Sequence, residues 1–279
     1  MSFNQFLTRS PSKIFESYIS FYFQQKISGN KQDNPLLYKQ TTLPSGCIFL
    51  GFNFSNAIEI KSCNQSALLI DYPIYFTGQQ NSLYTMELPQ NTNLFGVVLH
   101  PATASWLTNI PIYELRNSAI EADYHLSKDL RELHDKMANV TLDSRIKLFE
   151  QWFTTKIGCA KRDAVFTDWV VEEIIKNRGI ISTNILAKTL KVSERHLQRS
   201  FKERIGLQPY KYANIVRINN LVNDFNKSDV RLIDLVYDYN YHDKAHFRKQ
   251  FRKITNTSLA SYLDVQNKAA TSFLNKITV

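Results

Sequence analysis

The sequence predicts an α+β chain of two domains: a β-rich N-terminal sandwich or barrel with flanking helices, and an all-α C-terminal domain. Residues 36–101 contain short runs of Ile, Val, Phe, Tyr and Thr between turn residues, which is typical of many short strands. Beyond residue 160 only helical patterns occur. We therefore assign 1–160 to the β-rich domain, 161–268 to the helical domain and 269–279 to a tail, for which the sequence offers no interpretation.

The excess positive charge lies entirely in the second domain. Residues 1–160 hold 13 Lys+Arg and 13 Asp+Glu, whereas residues 161–279 hold 21 and 12, so the whole net charge of +9 belongs to the second part. A basic domain beside a neutral one favours a polyanion as the partner of the basic domain. Charge alone would also fit a membrane surface or a protein that is merely soluble.

Several patterns favour a cytoplasmic protein without a membrane partner. No apolar run approaches the roughly 18 residues of a membrane span, and the N-terminus lacks the pattern of an export signal. Cys47, Cys63 and Cys159 show no metal or redox spacing, so we expect reduced thiols. The only histidine of the β-rich region is His100, whereas a metal site requires clustered ligands. We expect no metal and no cofactor.

The motifs of common enzymes are absent from the sequence. It contains no phosphate loop, no Gly-rich nucleotide fingerprint, no G-x-S-x-G elbow and no HExxH. Cys47 with His100 or His125 would suit a thiol hydrolase, but Cys47 lies in the apolar run CIFLGF, where a buried strand thiol is the better interpretation. We predict that the chain is not an enzyme.

The N-terminal elements follow from local patterns. Pro11 suits the first position of a short helix, and an aromatic strand follows it up to about residue 25. Polar, turn-rich residues occupy 28–35, 43–46 and 90–93. We place strands near 36–42, 47–54, 56–62, 67–70, 73–78, 83–88 and 94–100.

Helical patterns follow these strands. Residues 101–107 predict a short helix, 126–137 carry one apolar stripe, and 143–157 place Ile, Phe and Trp on a second apolar face. The two longer helices would pair with each other, cover the sheet or form a dimer seam, and the sequence does not separate these alternatives.

Only helices are predicted beyond the expected domain boundary at Gly158–Arg162. Gly179 and Gly206 fall where the C-termini of helices are expected. We place the helices at about 163–177, 183–190, 194–205, 209–225, 230–238, 244–254 and 258–267.

Two of these helix pairs repeat one motif, which consists of a supporting helix, a tight turn and a basic helix. In the first copy Val192 fills the turn and Ser193 is placed to cap the basic helix. Leu197, Phe201 and Ile205 repeat at four-residue spacing and face inward. The residues left to face outward are Glu194, Arg195, Gln198, Arg199 and Lys202. Arg and Gln near a helix N-terminus make bidentate contacts with guanine and adenine in the major groove.

The second copy has the same arrangement of turn, cap and inward-facing residues. Tyr241 fills the turn, Asp243 is the expected cap, and Phe247, Phe251 and Ile254 face inward. The outward residues are Lys244, Ala245, Arg248, Lys249 and Arg252.

A long helix that opens at Pro209 joins the two copies and would hold them at a fixed separation. Successive major grooves lie about 34 Å apart on one face of B-DNA, so a rigid monomer of this kind would enter two of them.

This region resembles the DNA-binding domain of AraC/XylS-family transcription regulators, which has two helix-turn-helix units. The residues that match are Leu186-Ala187, Val192-Ser193, Leu197-x-Arg199-x-Phe201, Gly206, Pro209, Tyr212, Arg217-Ile218, Tyr241-x-Asp243, Phe247, Phe251-x-Lys253 and Tyr262. Four positions depart from the family: Asn240 and Asn256 replace Gly, Leu259 replaces Pro, and Val236 replaces a small Ala.

The resemblance implies a sequence-specific regulator that binds double-stranded DNA and contacts RNA polymerase, with activation favoured over repression. Arg217 falls at a position that is usually structural. The family's base contacts correspond to Arg195, Gln198 and Arg199 in the first unit and to Lys244, Ala245, Arg248 and Lys249 in the second. To these we add Lys202 as a phosphate contact. We expect the first unit to carry most of the base discrimination.

Residues 36–120 are similar to the sensor-type region of one subgroup of this family. The resemblance rests on Leu43-Pro44-x-Gly46-Cys47, Phe76-x-Gly78-Gln79 and Phe95-Gly96-Val97-Val98-x-x-x-Pro101. It implies a domain that binds a small-molecule effector, forms a homodimer, or both, and that modulates DNA binding.

The aromatic residues of this region are open to two interpretations. They line a pocket for an apolar effector or simply fill the core; they are Phe52, Phe54, Tyr72, Tyr75, Phe76 and Tyr84. The alternative function is a regulator controlled by a protein partner, whose N-terminal interaction module has no small-molecule pocket.

Overall fold

The computed structural model describes residues 3–28, 37–62, 66–159 and 166–278 of the 279-residue chain. The expected domain boundary at Gly158–Arg162 lies largely outside these ranges, as does Cys63. Within them the chain forms a β-rich N-terminal domain and a helical C-terminal domain, so the predicted α+β class is confirmed.

Two antiparallel sheets pack face to face in the N-terminal domain, which makes it a sandwich. Ile58 and Leu88 of one sheet share a core with Tyr75 and Leu94 of the other. The strands are β1 (Phe3–Arg9), β2 (Ile19–Ser28), β3 (Leu37–Thr42), β4 (Ile48–Asn53), β5 (Ile58–Ser62), β6 (Leu68–Ile70), β7 (Ile74–Thr77), β8 (Tyr84–Pro89), β9 (Asn93–Leu99) and β10 (Ala119–Glu121). The larger sheet has the order β1-β2-β9-β4-β7-β10 and the smaller one the order β3-β8-β5-β6.

The seven strands predicted within 36–100 are all present, but the sequence patterns missed the two edge strands of the larger sheet. Among the described strands, β1 pairs only with β2, and β10 pairs only with β7 over three residues. The sequence of β1, FNQFLTR, does not alternate between apolar and polar residues, and β10 has only three residues, so neither gives a clear strand pattern. The predicted helix at Pro11 is a single 3-10 turn, Lys13–Phe15.

Helices cover the outer face of the larger sheet. They are α1 (Ala104–Leu107), α2 (Ala122–His125), α3 (Asp129–Met137) and α4 (Leu142–Cys159). Leu130 of α3 and Phe149 of α4 share a core with Tyr22, Phe52 and Phe95 of the sheet. Two of the three alternatives for α3 and α4 are therefore realised together: the helices pair, and they cover the sheet.

A buried arginine joins these helices to the sheet. Arg145 on α4 is 1% exposed. Its Nε donates to the Met137 carbonyl oxygen (2.9 Å) and its Nη1 to the Asn93 side chain (3.1 Å). The guanidinium also lies 4.1 Å from the ring centre of Phe54. Among the described residues it has no carboxylate partner, and burial lowers its pKa to about 10.

The C-terminal domain consists of helices grouped around two cores. One core includes Leu186, Leu197 and Tyr212, and the other includes Leu221 and Phe247. The helices are α5 (Phe166–Lys176), α6 (Thr183–Thr189), α7 (Glu194–Ile205), α8 (Pro209–Lys227), α9 (Leu232–Asp238), α10 (Lys244–Thr255), α11 (Leu259–Val265) and α12 (Lys268–Ile277).

The last of these helices, α12, occupies the tail for which the sequence offered no interpretation. Asn267 caps it by accepting a hydrogen bond from the backbone N–H of Ala270 (3.0 Å). Its buried face consists of Ala269, Ala270, Phe273 and Leu274.

We expect Arg145→Ala to lower the free energy of unfolding by about 3 kcal/mol, because charge-assisted hydrogen bonds are lost and buried carbonyl groups are left unpaired. Urea unfolding of the full chain measures this change. Lys147→Ala, an exposed change on the same helix, is the matched control and should stay within about 0.5 kcal/mol of the original chain. Equal stability of the two variants would contradict the structural role of Arg145.

Candidate nucleic-acid interface

The first helix-turn-helix unit is built by a turn and a cap that act locally. Lys191 adopts a left-handed conformation (φ 54°) in the turn, and the Val192 N–H donates to the Ala187 carbonyl oxygen (3.1 Å). The Ser193 hydroxyl then accepts a hydrogen bond from the His196 backbone N–H (3.2 Å), which caps α7. These contacts set where α7 begins and therefore which of its side chains point outward.

The second unit repeats this geometry. Asn240 is left-handed (φ 54°), and the Tyr241 N–H donates to the Val236 carbonyl oxygen (2.9 Å). The Asp243 side chain accepts from the His246 backbone N–H (2.7 Å) and caps α10. Val236 is fully buried, and its extra bulk leaves the hydrogen bond across the turn intact.

The other departures from the family pattern also have local explanations. Asn256 ends α10 in the left-handed conformation (φ 56°), as Gly206 ends α7 (φ 89°). Asn is one of the few residues besides Gly that adopts this conformation readily. Leu259 lacks the preset φ of proline, but the Ser258 hydroxyl caps α11 by accepting from the Ser261 backbone N–H (3.0 Å).

All eight residues expected to contact DNA are exposed, and they lie on two helices. The apolar residues of α7 and α10 are buried on the opposite faces. On α7 the exposed residues are Arg195, Gln198, Arg199 and Lys202, and on α10 they are Lys244, Ala245, Arg248 and Lys249.

Arg217, on α8, does not belong to this surface. Its Nε donates to the Tyr239 carbonyl oxygen (2.6 Å), and its guanidinium lies 3.8 Å from the ring centre of Tyr241. The residue therefore holds the turn of the second unit, in agreement with the structural role that the resemblance implies.

The N-terminal domain contacts the first unit at the C-terminal end of α7. The Lys202 ammonium lies 4.6 Å from the ring centre of Tyr113, in the 3-10 helix Ile112–Leu115. A Cβ added at Gly206 would lie 3.0 Å from Ile112 Cγ2 and 3.3 Å from Gln79 Cγ. Gly206, which ends α7, therefore lies in close contact with the sandwich.

The N-terminal domain also contacts α8 and the second unit. The Asn219 side chain on α8 donates to the Pro44 carbonyl oxygen (2.9 Å), and both residues are buried. The Leu83 backbone N–H donates to the carbonyl oxygen of Ile254 on α10 (3.0 Å). The sandwich therefore contacts both helix-turn-helix units and the helix that joins them.

A small apolar cavity lies between the two sheets. Its volume is about 50 Å³. Two paired glycines make room at its base: a Cβ on Gly51 would lie 2.2 Å from the Tyr75 ring, and one on Gly96 would lie 2.1 Å from the Phe23 ring. The lining includes Phe6, Phe23, Phe49, Ile58, Tyr75, Tyr84, Met86 and Phe273.

The structure separates the six aromatic residues that the sequence grouped as a pocket or a core. Only Tyr75 and Tyr84 line the cavity. Phe52 and Phe76 face the helices on the other side of the larger sheet. Strand alternation places neighbouring residues on opposite faces, so adjacency in sequence did not reveal which residues share a face. Of the remaining two, Phe54 stacks on His134 and Tyr72 is exposed.

Three buried polar atoms around the cavity lack hydrogen-bond partners within the described part of the chain. They are Gln40 Oε1, Thr42 Oγ1 and Gln80 Nε2, and each residue is at most 6% exposed. Leaving such groups unpaired costs about 1–3 kcal/mol each. Among the described residues that line the cavity, none carries a charge.

The structure gives no support to the thiol chemistry considered from the sequence. Cys47 is buried, and burial raises its pKa to about 12, so the thiol stays protonated near neutral pH. Among the described residues, no group of three His, Cys, Asp or Glu side chains is arranged to hold a metal ion.

None of the described helices is both long enough and apolar enough to cross a membrane.

Two family models match the chain. A helix-turn-helix domain matches residues 186–264, and a domain of unknown function (DUF6597) matches residues 7–121. The two matches correspond to the helical domain and to most of the sandwich.

Individual relatives are similar to one or both regions. The probable transcription factor PqrA of Proteus vulgaris is 27% identical over 94 residues, which cover 34% of this chain and 76% of PqrA. The apo crystal structure of a ToxT variant from Vibrio cholerae is similar over 93% of this chain and 100% of its own, with 10% identity and a TM-score of 0.48. The C-terminal domain of AraT, a response regulator from Geobacillus stearothermophilus, is similar over 38% of this chain and 89% of its own, with 17% identity and a TM-score of 0.35.

If Arg199 reads a base, Arg199→Ala should weaken binding to the preferred sequence by about 1–3 kcal/mol and relax the preference at one position. Selection from a random duplex library, followed by anisotropy titration, measures both effects. An unchanged preferred sequence would show that Arg199 does not read a base.

Lys202→Ala is the matched change on the same helix. If Lys202 contacts a phosphate, this variant should weaken binding to all sequences about equally and reduce the slope of log K against log salt by about 1. An unchanged salt slope would indicate that Lys202 serves the contact with Tyr113 instead.

Proposed function

We propose that this chain, an AraC-type DNA-binding transcription regulator, is an activator whose N-terminal sandwich binds a small neutral effector and thereby modulates DNA binding. The observation that carries the proposal is the contact of one domain, which holds an apolar cavity, with both helix-turn-helix units and the helix between them. These contacts are the proposed route by which a change in the sandwich reaches the elements that meet DNA.

The proposed DNA contacts rest on exposure and helix geometry. Arg195, Gln198 and Arg199 occupy the first turns of α7, where side chains reach base edges in the major groove. On α10, Arg248 and Lys249 lie beyond the cap in the corresponding turns. The basic charge of this domain supplies the sequence-independent attraction to phosphates that accompanies such contacts.

The effector is proposed to be neutral and largely apolar, with at least one hydrogen-bonding group. The lining is mostly aromatic and aliphatic, which favours apolar surface. The unpaired atoms of Gln40, Thr42 and Gln80 offer an acceptor, a hydroxyl and an amide donor. An anionic ligand would lose its hydration without gaining a counter-charge from the described lining.

Activation and contact with RNA polymerase are proposed from the family resemblance. Run-off transcription with purified polymerase tests both, using a template that carries the selected binding sequence. A rise in transcript on addition of the protein supports activation, whereas a fall supports repression.

A second candidate function is control by a protein partner or by a second copy of the chain. The observation that favours it is a groove of about 220 Å³ on the outside of the sandwich, whose lining combines Trp106, Leu107, Leu126, Trp152 and Ile157 with Thr103, Ser127 and Lys156. Sedimentation of the full chain distinguishes a homodimer from a monomer. If the groove is the dimer interface, Trp152→Ala should weaken dimerisation and raise the dissociation constant of the dimer.

A matched pair of ligands tests the proposed effector class. We expect benzamide or benzyl alcohol to raise the Tm of the full chain more than benzoate does at equal concentration, because only the neutral compounds enter without an unpaired charge. Gln80→Leu should reduce the shift caused by benzamide. Equal shifts by the amide and the carboxylate would contradict a neutral site, and no shift by any such compound would favour the protein-partner alternative.

A further inference from the structure

We propose that α12 is a releasable latch between the two domains, and that a ligand entering the inter-sheet cavity displaces Phe273 and frees this helix. The inference rests on the proposed ligand site, and it adds the route by which occupancy of that site reaches the DNA-binding domain.

The helix α12 fills a gap beside the smaller sheet. The side chain of Asn267, which caps the helix, donates to the carbonyl oxygen of Lys39 on β3 (3.0 Å). β3 is an edge strand of the four-stranded sheet, and α12 contacts it. Phe21 and Val98 of the larger sheet, and Cys47 just before β4, form a cluster with Phe273 there.

Phe273 is a wall of the cavity. Its ring centre lies 5.6 Å from that of Phe21, 5.7 Å from that of Phe49 and 6.5 Å from that of Phe23. The side chain is 5% exposed and lines the cavity together with Phe6, Phe23 and Phe49. A helix of the C-terminal segment therefore closes a cavity of the N-terminal domain.

The volume of the cavity makes ligand binding and docking of Phe273 compete. The cavity measures about 50 Å³, whereas an apolar cavity of about 150 Å³ accommodates benzene. A ligand of benzene size or larger therefore requires one wall to move. Most other walls belong to strands that are held by ladder hydrogen bonds on both sides.

The wall that moves most readily is α12. It has 10 residues, and isolated helices shorter than about 12–15 residues are marginal in water. Once Phe273 leaves its cluster, α12 is held to the sandwich by the Asn267–Lys39 bond and to α8 by the packing of Leu274. Phe273 is thus positioned where a bound ligand and the docked helix α12 exclude each other.

The same helix also binds the centre of the DNA-binding domain. Leu274 packs with Leu221 of α8 in the core of the second unit. Thr278, just beyond α12, accepts a hydrogen bond from the Asn223 side chain on α8 (2.5 Å). Release of α12 removes these contacts with the helix that joins the two units, and so changes how firmly they are held against the sandwich.

Hydrogen exchange of the full chain tests the latch. Benzyl alcohol, the neutral probe, should speed exchange of the amides in 268–277 by more than about tenfold while the strands of the sandwich are unchanged or slowed. Phe273→Ala should produce the same acceleration without ligand, and it should enlarge the cavity so that benzene raises its Tm. The DNA affinity of the Phe273→Ala variant without ligand should resemble that of the original chain with ligand.

Two further variants keep the test independent of folding defects. Asn267→Ala removes the cap and the bond to β3 without touching the cavity, and it should also speed exchange in 268–277, by about fivefold. Asn275→Ala, an exposed change on the same helix, should leave exchange as it is.

The outcomes separate the latch from the ligand site. A ligand that raises the Tm while exchange in 268–277 stays unchanged overturns the latch and leaves the ligand site standing. If neither the original chain nor Phe273→Ala binds any neutral probe, the ligand site fails, and the latch fails with it.

Discussion

The burial of α8 is the constraint on which the rest of the structure depends. This helix contributes Tyr212 to the core of the first helix-turn-helix unit and Leu221 to that of the second. Because one rigid helix belongs to both cores, the relative position of the two units is set by its length and by the faces it buries. The sandwich then packs along α8 as well, so that this helix contacts the sandwich and both helix-turn-helix units.

A helix surrounded in this way has to bury polar groups, and it does so by pairing them with specific partners. Asn219 donates to Pro44 of the sandwich and Asn223 to Thr278 beyond α12. Each bond is modest in net free energy, but a lost partner would leave a buried amide unsatisfied. The bonds of Asn219 and Asn223 therefore favour this docking geometry over other apolar packings, because another packing would leave their side-chain N–H groups unpaired.

Within the sandwich, the buried arginine and the inter-sheet cavity differ in how their polar groups are paired. Arg145 has its hydrogen bonds satisfied by carbonyl and amide oxygens, and it stabilises the outer layer of the sandwich. Around the inter-sheet cavity, by contrast, Gln40, Thr42 and Gln80 keep unpaired atoms within the described part of the chain. The lining of the inter-sheet cavity thus combines unsatisfied polar groups with a wall, Phe273, that comes from the far end of the chain. A bound ligand with matching donors and acceptors would satisfy these groups.

The sequence by itself determined the doubled helix-turn-helix unit, including its caps at Ser193 and Asp243, because caps, turns and apolar spacing act between residues close in the chain. It also indicated the seven strands within 36–100, but not β1, whose sequence does not alternate, or β10, which has only three residues. Only the tertiary structure decided which aromatic residues line the cavity, and that α12 closes it. Those outcomes depend on contacts such as Phe273 with Phe21, between opposite ends of the chain, and no local pattern encodes which distant surface a short apolar helix will meet.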